Sequence, residues 1–552
     1  MTISKKKNKL LISFDYSPVL VEVMRALNER QFEPGEKIWS VPIANTVEVV
    51  DKLKPMGFKC SDDVLEEYNV RKARKKIIER VKNGDFNDAE KQLLEKIELP
   101  LYNYQKIGAG FVCAAQSCLV GDQPGLGKTL QSLASVKIRE AKKVLILCPS
   151  TLKDTWKEEI EKWMPKETFI LIKGEKKARM KKWKEDKKFY IANYELLLKD
   201  INVINETYWD FVIADEATRI SNPKSKTSKL IKKLNAKHKV PLSGTPMNNS
   251  IEDLWSIIDF CQPGLLGSYW QFTEKYCTKD RFGSISGYKN LDDLKARVKD
   301  VMIRRLKKDV LSELPDKVYE TIYIEMTEKE RMLYNAIKRE IMDYLKDNGM
   351  KDRRGLKNVL TKMIRLRQAV DAEELITGEG GSSKLDALKE LVKELTSNEE
   401  KVLIFTQFRE MALILMRELK EYNPLLIAGG VDEDMRTENR KKFTESENHP
   451  VMVLTEAGAF GLNLQAATAV IHYDLPWSIS KVEQREDRAH RAGQKNCVTV
   501  YTLIVKDSID EYVKRVLFKK QQVSEKVLGD KDKVRVAKIS KKDIQKLLED
   551  DE

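Results

Sequence analysis

The sequence predicts an α/β protein: two parallel-sheet blocks divided by a helical stretch, with a small α+β unit in front. Two observations carry this. Short apolar runs alternate with amphipathic segments from about residue 98 to 250 and again from about 400 to 505, the pattern of strands joined by crossover helices. Between 250 and 375 the chain instead reads as mostly helical and strongly basic, as in the run IRRLKKDV.

The small unit comes first. LLISF at 10–14 reads as a strand, and Ser17 and Pro18 open a helix with a capping hydroxyl and a proline pre-set for the first turn. Val19, Leu20, Val23 and Leu27 form its predicted apolar face. Pro34 and Gly35 make a turn, Ile38 to Val41 a second strand, and a helix from about Thr46 stops near Gly57. The first α/β block is expected to hold strands at CLV (118), VLILC (144), FILI (169) and FVIAD (211). The second holds VLIFTQF, PLLIAGG, VMVLTE, AVIHYD and VTVYTLIV. The predicted segments are 1–70 for the small unit, 71–97 for a charged linker helix and 98–310 for the first block with a helical protrusion. Residues 311–520 follow as the second block with a helical insertion at its start, and 521–552 as a charged helical tail.

Bulk composition narrows the function classes. The 552 residues carry 100 Lys and Arg against 86 Asp and Glu, a net charge of +14, which favours polyanionic partners. Seven Cys without a C-x-x-C pair, and only four His, argue against a zinc site or disulfide framework. No apolar run reaches the ~18 residues of a membrane span. The N-terminal stretch is too short in apolar residues for a secretory signal, so the protein is expected to stay inside the cell, without a membrane partner.

Three stretches carry chemistry. The first runs from Gly121 through Asp122, Gly125 and Gly127 to Lys128 and Thr129, after a short strand and before a helix predicted to reach Ala141. Glycines there let backbone N–H groups face phosphates, Lys128 reaches the β and γ phosphates, and Thr129 can ligate magnesium. Asp122 stands where the strict phosphate-loop pattern has its first glycine. The second is Trp209 to Thr218, a strand ending in Asp215 and Glu216. Carboxylates at that sheet edge can hold magnesium (Asp215) and activate an attacking water (Glu216). The third runs from Gln484 to Gln494 in the second block. Arg488 and Arg491 sit three apart, on one face if the stretch is helical, and suit the charge that develops on a transferring phosphoryl group.

Together with further stretches, these runs resemble the Swi/Snf-type ATPases of helicase superfamily two over residues 98–530. Leu101 to Gln105 resembles the adenine-reading Q motif, Cys148 to Trp156 motif Ia, and Ser243 to Pro246 motif III. Thr455 to Leu464 resembles motif V, and Gln484 to Gln494 motif VI. Leu254–Trp255, Pro263–Gly264, Ile303 to Val310, Leu314–Pro315 and Ser383 to Leu385 match markers that separate this family from ordinary RNA helicases. The N-terminal stretch from Phe14 to Ser17, with Trp39–Ser40, resembles the HARP module of annealing helicases.

The resemblance implies two RecA-like lobes, ATP and magnesium as ligands, and double-stranded DNA, with forks or junctions in addition, as partner of a monomeric motor. It places Gln105 and Gln484 with the nucleotide, and Ser150, Thr151 and Thr455 on the DNA backbone. It gives Thr218, Ser243 and Thr245 a role in coupling. The family usually has His where this chain has Thr218, a shorter side chain with one donor. Two other readings are a strand-separating helicase on RNA or single strands, and a nucleic-acid-binding scaffold without hydrolysis. Lys128, Thr129, Asp215, Glu216, Arg488 and Arg491 argue against the scaffold.

Overall fold

The computed structural model describes residues 1–552 apart from 28–29, 97–98, 248–249, 280–284, 312, 349–352, 457–463, 492 and 529–552. The chain divides into two compact units, one built on Met1–Leu306 and the other on Lys307–Val523.

The first unit opens with a five-stranded sheet in the order Gln31–Glu33, Ile38–Pro42, Lys9–Ser13, Thr2–Lys6, Lys59–Cys60. The sequence reading found only two of these strands. Thr2–Lys6 escaped it because three of its five residues are Ser or Lys, yet it pairs antiparallel with Lys9–Ser13 along its whole length. The helix Pro18–Arg25 is capped by Ser17 as expected, and of its expected face Leu20 and Val23 pack against the core while Val19 does not. Met24 and Leu27 reach the core, while Val19 is 65% exposed. A stripe through Leu20, Met24 and Leu27 keeps the helical period as well as one through Val19 does.

The charged linker helix runs from Asp62 to Lys82, across the boundary placed at residue 70. Val64 joins the core of the small sheet, whereas Ile78 and Val81 are buried further along. There the helix lies close to the helix Asn103–Ala115: a side chain at Gly110 would meet Phe86 at 2.8 Å and Val81 at 3.1 Å. Lys82 donates to the carbonyl of Met302 at 3.0 Å and to that of Lys299.

The large sheet of the first unit is parallel, in the order Ala236–Pro241, Trp209–Ala214, Val144–Cys148, Phe189–Asn193, Phe169–Leu171. Leu119–Val120 pairs with Met302–Ile303 and is joined to the sheet by the bridge Val120–Leu242. Val144–Cys148 is buried at every position, as apolar runs in doubly covered parallel strands are. Ala236–Pro241 was missed because its Lys and His residues mask the strand.

The second unit is a six-stranded parallel sheet, in the order Lys317–Ile324, Val498–Val505, Ala469–His472, Val402–Thr406, Val451–Thr455, Leu425–Ile427. Five of the six match the predicted strands. Lys317–Ile324 corrects the helical reading of this region: alternating β-branched and aromatic residues form an edge strand, with Val318, Tyr319 and Tyr323 exposed. The stretch 250–375 holds helices Ile251–Cys261, Tyr269–Tyr276, Leu291–Val298, Glu328–Asn348 and Arg353–Asp371, but also the hairpin Cys277–Lys279 with Ile285–Tyr288. The tail helix spans Ile509–Leu528, and the rest of the predicted tail lies outside the described residues. Among the described residues no helix is long and apolar enough to cross a membrane.

Candidate nucleotide site and arginine stretch

In the first unit, three predicted motifs leave the carboxyl ends of neighbouring strands and are stitched by backbone hydrogen bonds. Ser243 N–H donates to Val120 O at 3.1 Å, Leu242 N–H to Ala214 O at 2.8 Å, and Ala217 N–H to Leu242 O at 2.9 Å. Gly244 lies so close to the phosphate loop that a Cβ there would sit 2.7 Å from the Pro124 ring. The glycine loop, the acid pair and Ser243–Thr245 therefore share one sheet edge, where open α/β sheets bind ligands.

Gly125 and Gly127 hold φ of 86° and 71°, a left-handed conformation that lets the backbone curl before the helix Lys128–Ile138. That helix ends at Ile138, one turn short of the expected Ala141. Gly127 also faces Gln105, whose Nε2 would lie 2.4 Å from an added Cβ. Gln105 is buried, accepts from Tyr102 N–H at 3.0 Å and donates to Leu126 O at 3.4 Å, so its amide braces the loop from below. Lys128 Nζ donates to the carbonyls of Asp122 (2.8 Å) and Gln123 (3.3 Å). Thr129 is half-buried at the start of the helix.

Asp122 is fully buried. Its carboxylate takes the Arg305 Nε and backbone N–H, each at 3.0 Å, and the Gln131 amide at 3.0 Å, and it forms an ion pair with the Arg305 guanidinium. In place of a glycine, the chain has an acid that pins the loop to Arg305. Arg305 also donates to the carbonyl of Tyr104 and to Gln131, while Arg304 Nη1 donates to Gly121 O and Gly244 O, each at 2.8 Å. Their family match gives no hint of this role, which depends on contacts 60 to more than 170 residues distant along the chain.

Asp215 is held from both sides. Trp156 Nε1 donates to one oxygen at 2.8 Å, and the Glu216 N–H to the other at 2.9 Å. Tyr194 donates to its carbonyl at 2.6 Å. Burial pushes the Asp215 carboxyl above its ordinary range, against the Trp156 and Glu216 hydrogen bonds and the charge of Lys128. Each carboxylate oxygen keeps a second lone pair, and a nearby cation would favour the ionised form, so Asp215 and Thr129 fit magnesium as donors. Glu216 adopts φ 48° and ψ 56°, unusual for a residue with a side chain, and is half-buried. Thr218 Oγ1 donates to Glu216 O at 3.4 Å. Ser243 Oγ accepts from Thr245 N–H at 3.2 Å, and the Thr245 hydroxyl is buried without a partner among the described residues. Thr218 thus bonds within its own turn. Ser150 is exposed and Thr151 half-buried just after Val144–Cys148.

The second unit holds the arginine stretch. The helix Ile479–Glu486 stops before the two arginines, so Arg488 and Arg491 lie in successive turns and the shared-helix-face argument fails. Buried charges cluster where the helix stops. Glu486 pairs with Lys317, accepts from Tyr319 at 3.0 Å and lies 3.6 Å from His472. Burial opposes its charge, but His472 and Lys317 prevail and hold it at about 2. Asp487 pairs with Lys307, and His490 Nε2 lies 2.7 Å from Pro315 O. Arg485 donates to Asp474 O at 2.6 Å and pairs with Glu456 at 3.1 Å. Arg488 is buried, and Gln484 and Arg491 are half-buried. Thr455 is only 4% exposed, which leaves its hydroxyl little access to a DNA backbone in this structure. Most of the motif V match, 457–463, lies outside the described residues.

Comparison with known proteins shows the family. The SNF2-related domain matches residues 19–375, and the helicase conserved C-terminal domain matches residues 383–493. A Mycoplasma genitalium protein named as an uncharacterised ATP-dependent helicase is 31% identical over 443 residues, covering 78% of this chain and 42% of that protein. The mouse SWI/SNF-related matrix-associated actin-dependent regulator of chromatin subfamily A member 1 is 29% identical over 451 residues, covering 75% of this chain and 42% of its own. The chain therefore spans less than half the length of these two relatives. The Sulfolobus solfataricus SWI2/SNF2 ATPase core in complex with double-stranded DNA is 30% identical, covers 78% of this chain and 93% of that one, and superposes with a TM-score of 0.39.

Proposed function

Because this chain belongs to the SNF2-related family, we propose that it is a DNA-dependent ATPase that translocates along double-stranded DNA and remodels DNA structures or displaces bound proteins. The observation that carries this is the shared sheet edge of the glycine loop, the Asp215–Glu216 pair and Ser243–Thr245. Loop N–H groups and Lys128 bind the β and γ phosphates, and Gln105 and Gln484 stand with the nucleotide. Magnesium held by Thr129 and Asp215 would neutralise phosphate charge. Glu216 orients the attacking water and takes its proton, and Arg488 and Arg491 stabilise charge on the transferring phosphoryl group. Ser150, Thr151 and Thr455 are the proposed backbone contacts, and Thr218, Ser243 and Thr245 the coupling residues. The N-terminal unit, read as HARP-like, selects forked or junction DNA.

The test is the ATPase rate on duplex, forked and single-stranded DNA and on RNA, beside triplex displacement and strand displacement. Stimulation by duplex with triplex displacement is the expected result. Stimulation only by RNA or single strands, with strand separation, overturns the duplex reading in favour of a helicase.

A further inference from the structure

The boundary between the two compact units falls between Leu306 and Lys307. The residues on either side of it are anchored, each within its own unit, on a motif of the hydrolytic machinery. On the first side, Arg304 bridges the carbonyls of Gly121 and Gly244, and Arg305 grips the buried Asp122, the Tyr104 carbonyl and Gln131. On the second, the buried Lys307 ammonium pairs with Asp487 and donates to the His490 carbonyl, residues interleaved with Arg488 and Arg491. Leu306 alone separates the anchors in the chain.

We propose that Arg304–Lys307 is a coupling element, in which Arg304 and Arg305 position the phosphate loop and the Ser243–Thr245 turn while Lys307 positions the arginine stretch. The inference rests on the ATPase reading above. Its physical basis is lack of slack. Two residues span at most ~7 Å, so a shift of the Arg305 anchor that would stretch the segment past that reach has to be passed to Lys307. Buried ion pairs resist such a shift, because separating the partners leaves a charge out of water without compensation. Occupancy of the loop and the pose of Arg488 and Arg491 then become linked through one residue. DNA that fixes one arrangement thereby sets the other.

A four-residue Gly/Ser insertion between Leu306 and Lys307 keeps every anchor and adds slack. The intact chain and the insertion variant are compared in binding of a fluorescent ATP analogue, in duplex binding and in ATPase rate with and without duplex. The expected result is that both affinities and the DNA-free rate hold, while the duplex-stimulated rate falls about tenfold or more, as misplaced catalytic groups cost. A second variant, Arg305→Lys, keeps the charge and loses the forked contacts, and is expected to raise the ATP KM while kcat changes little. An insertion variant that keeps its full stimulation overturns the coupling, as does one that loses ATP or duplex binding, which would make the segment a structural brace. An intact chain that duplex does not stimulate fails the ATPase-motor reading itself, a separate outcome visible before any variant is made.

Discussion

Trp156 Nε1 donates to Asp215 Oδ2 at 2.8 Å from a side chain that is 1% exposed, so an indole from the motif Ia helix fixes the carboxylate proposed to hold magnesium. Trp156→Phe keeps much of the ring and removes the donor. The buried oxygen then loses a partner, a loss of about 1–3 kcal/mol. The expected outcome is a modest fall in thermal stability and a higher magnesium concentration for half-maximal ATPase. A magnesium dependence identical to that of the unaltered protein would separate Trp156 from the metal.

Lys128 and Glu216 divide binding from turnover. Lys128→Ala removes the ammonium proposed to bind the phosphates, and both ATP binding and hydrolysis should be lost. Glu216→Gln keeps the shape and the strained backbone but removes the base, so ATP should bind while turnover falls by about 10² or more. Near-normal turnover in Glu216→Gln, read in a single-turnover assay, sinks the general-base role.

The motifs that share a strand end were legible because their chemistry is local. Gly127–Lys128–Thr129 and Asp215–Glu216 announce themselves by residue type after an apolar strand. What sequence could not give was long-range pairing. Arg305 reaches Asp122 across 183 positions, and Lys317 reaches Glu486 across 169. Lys317–Glu486 sits at the end of the helix before Arg488, and local periodicity holds no trace of either pair. Strands rich in Lys, such as Thr2–Lys6 and Ala236–Pro241, were hidden for a related reason: their pairing is decided by neighbours from elsewhere in the chain.

Thr218 is expected to matter more for coupling than for hydrolysis. Its hydroxyl bonds to Glu216 O at 3.4 Å, and Thr245 keeps a buried hydroxyl without a partner among the described residues. Thr218→Val removes the hydroxyl and keeps the shape. ATPase should fall less than about threefold, since one long hydrogen bond is a weak one, while triplex displacement falls further. Equal loss of both activities, or of neither, counts against a coupling role.

Acid should loosen the second unit through Glu486. Its folded carboxyl titrates at about 2 against an ordinary 4.5. A depressed acid stabilises the fold above its unfolded value and loses that contribution as pH falls from 4.5 towards 2. For this nearly buried group the shift corresponds to on the order of 3 kcal/mol. Unfolding by urea, followed from pH 6 down to 3, should show this slope in the unaltered chain. Glu486→Gln should be less stable at pH 6 and show a shallower slope below pH 4.5. An unchanged slope would place the acid sensitivity elsewhere.

The N-terminal unit should choose the substrate without powering the motor, provided the cut spares the right helix. Its sheet has its own core, with Ile3, Leu10, Ile12, Val41 and Val49 all buried. It supplies none of the proposed nucleotide ligands. Yet the helix that leaves it, Asp62–Lys82, packs beside the helix that carries Gln105, and Lys75 pairs with Asp300 at 3.5 Å. At its end Lys82 donates to the carbonyls of Lys299 and Met302, two residues before Arg304. Two truncations separate the roles. Removing residues 1–61 should leave duplex-stimulated ATPase largely intact and abolish any extra stimulation by forks, and any annealing of complementary strands. Removing residues 1–82 strips the Lys82 contacts to the Lys299 and Met302 carbonyls and the helix packed beside Asn103–Ala115. It should lower duplex-stimulated ATPase as well. The comparison uses ATPase rates on duplex and fork at one salt concentration, because phosphate contacts weaken as salt rises. If the shorter truncation keeps the full-length ratio of fork to duplex rates, the unit is only a brace. If it loses duplex ATPase too, the small sheet is part of the motor core.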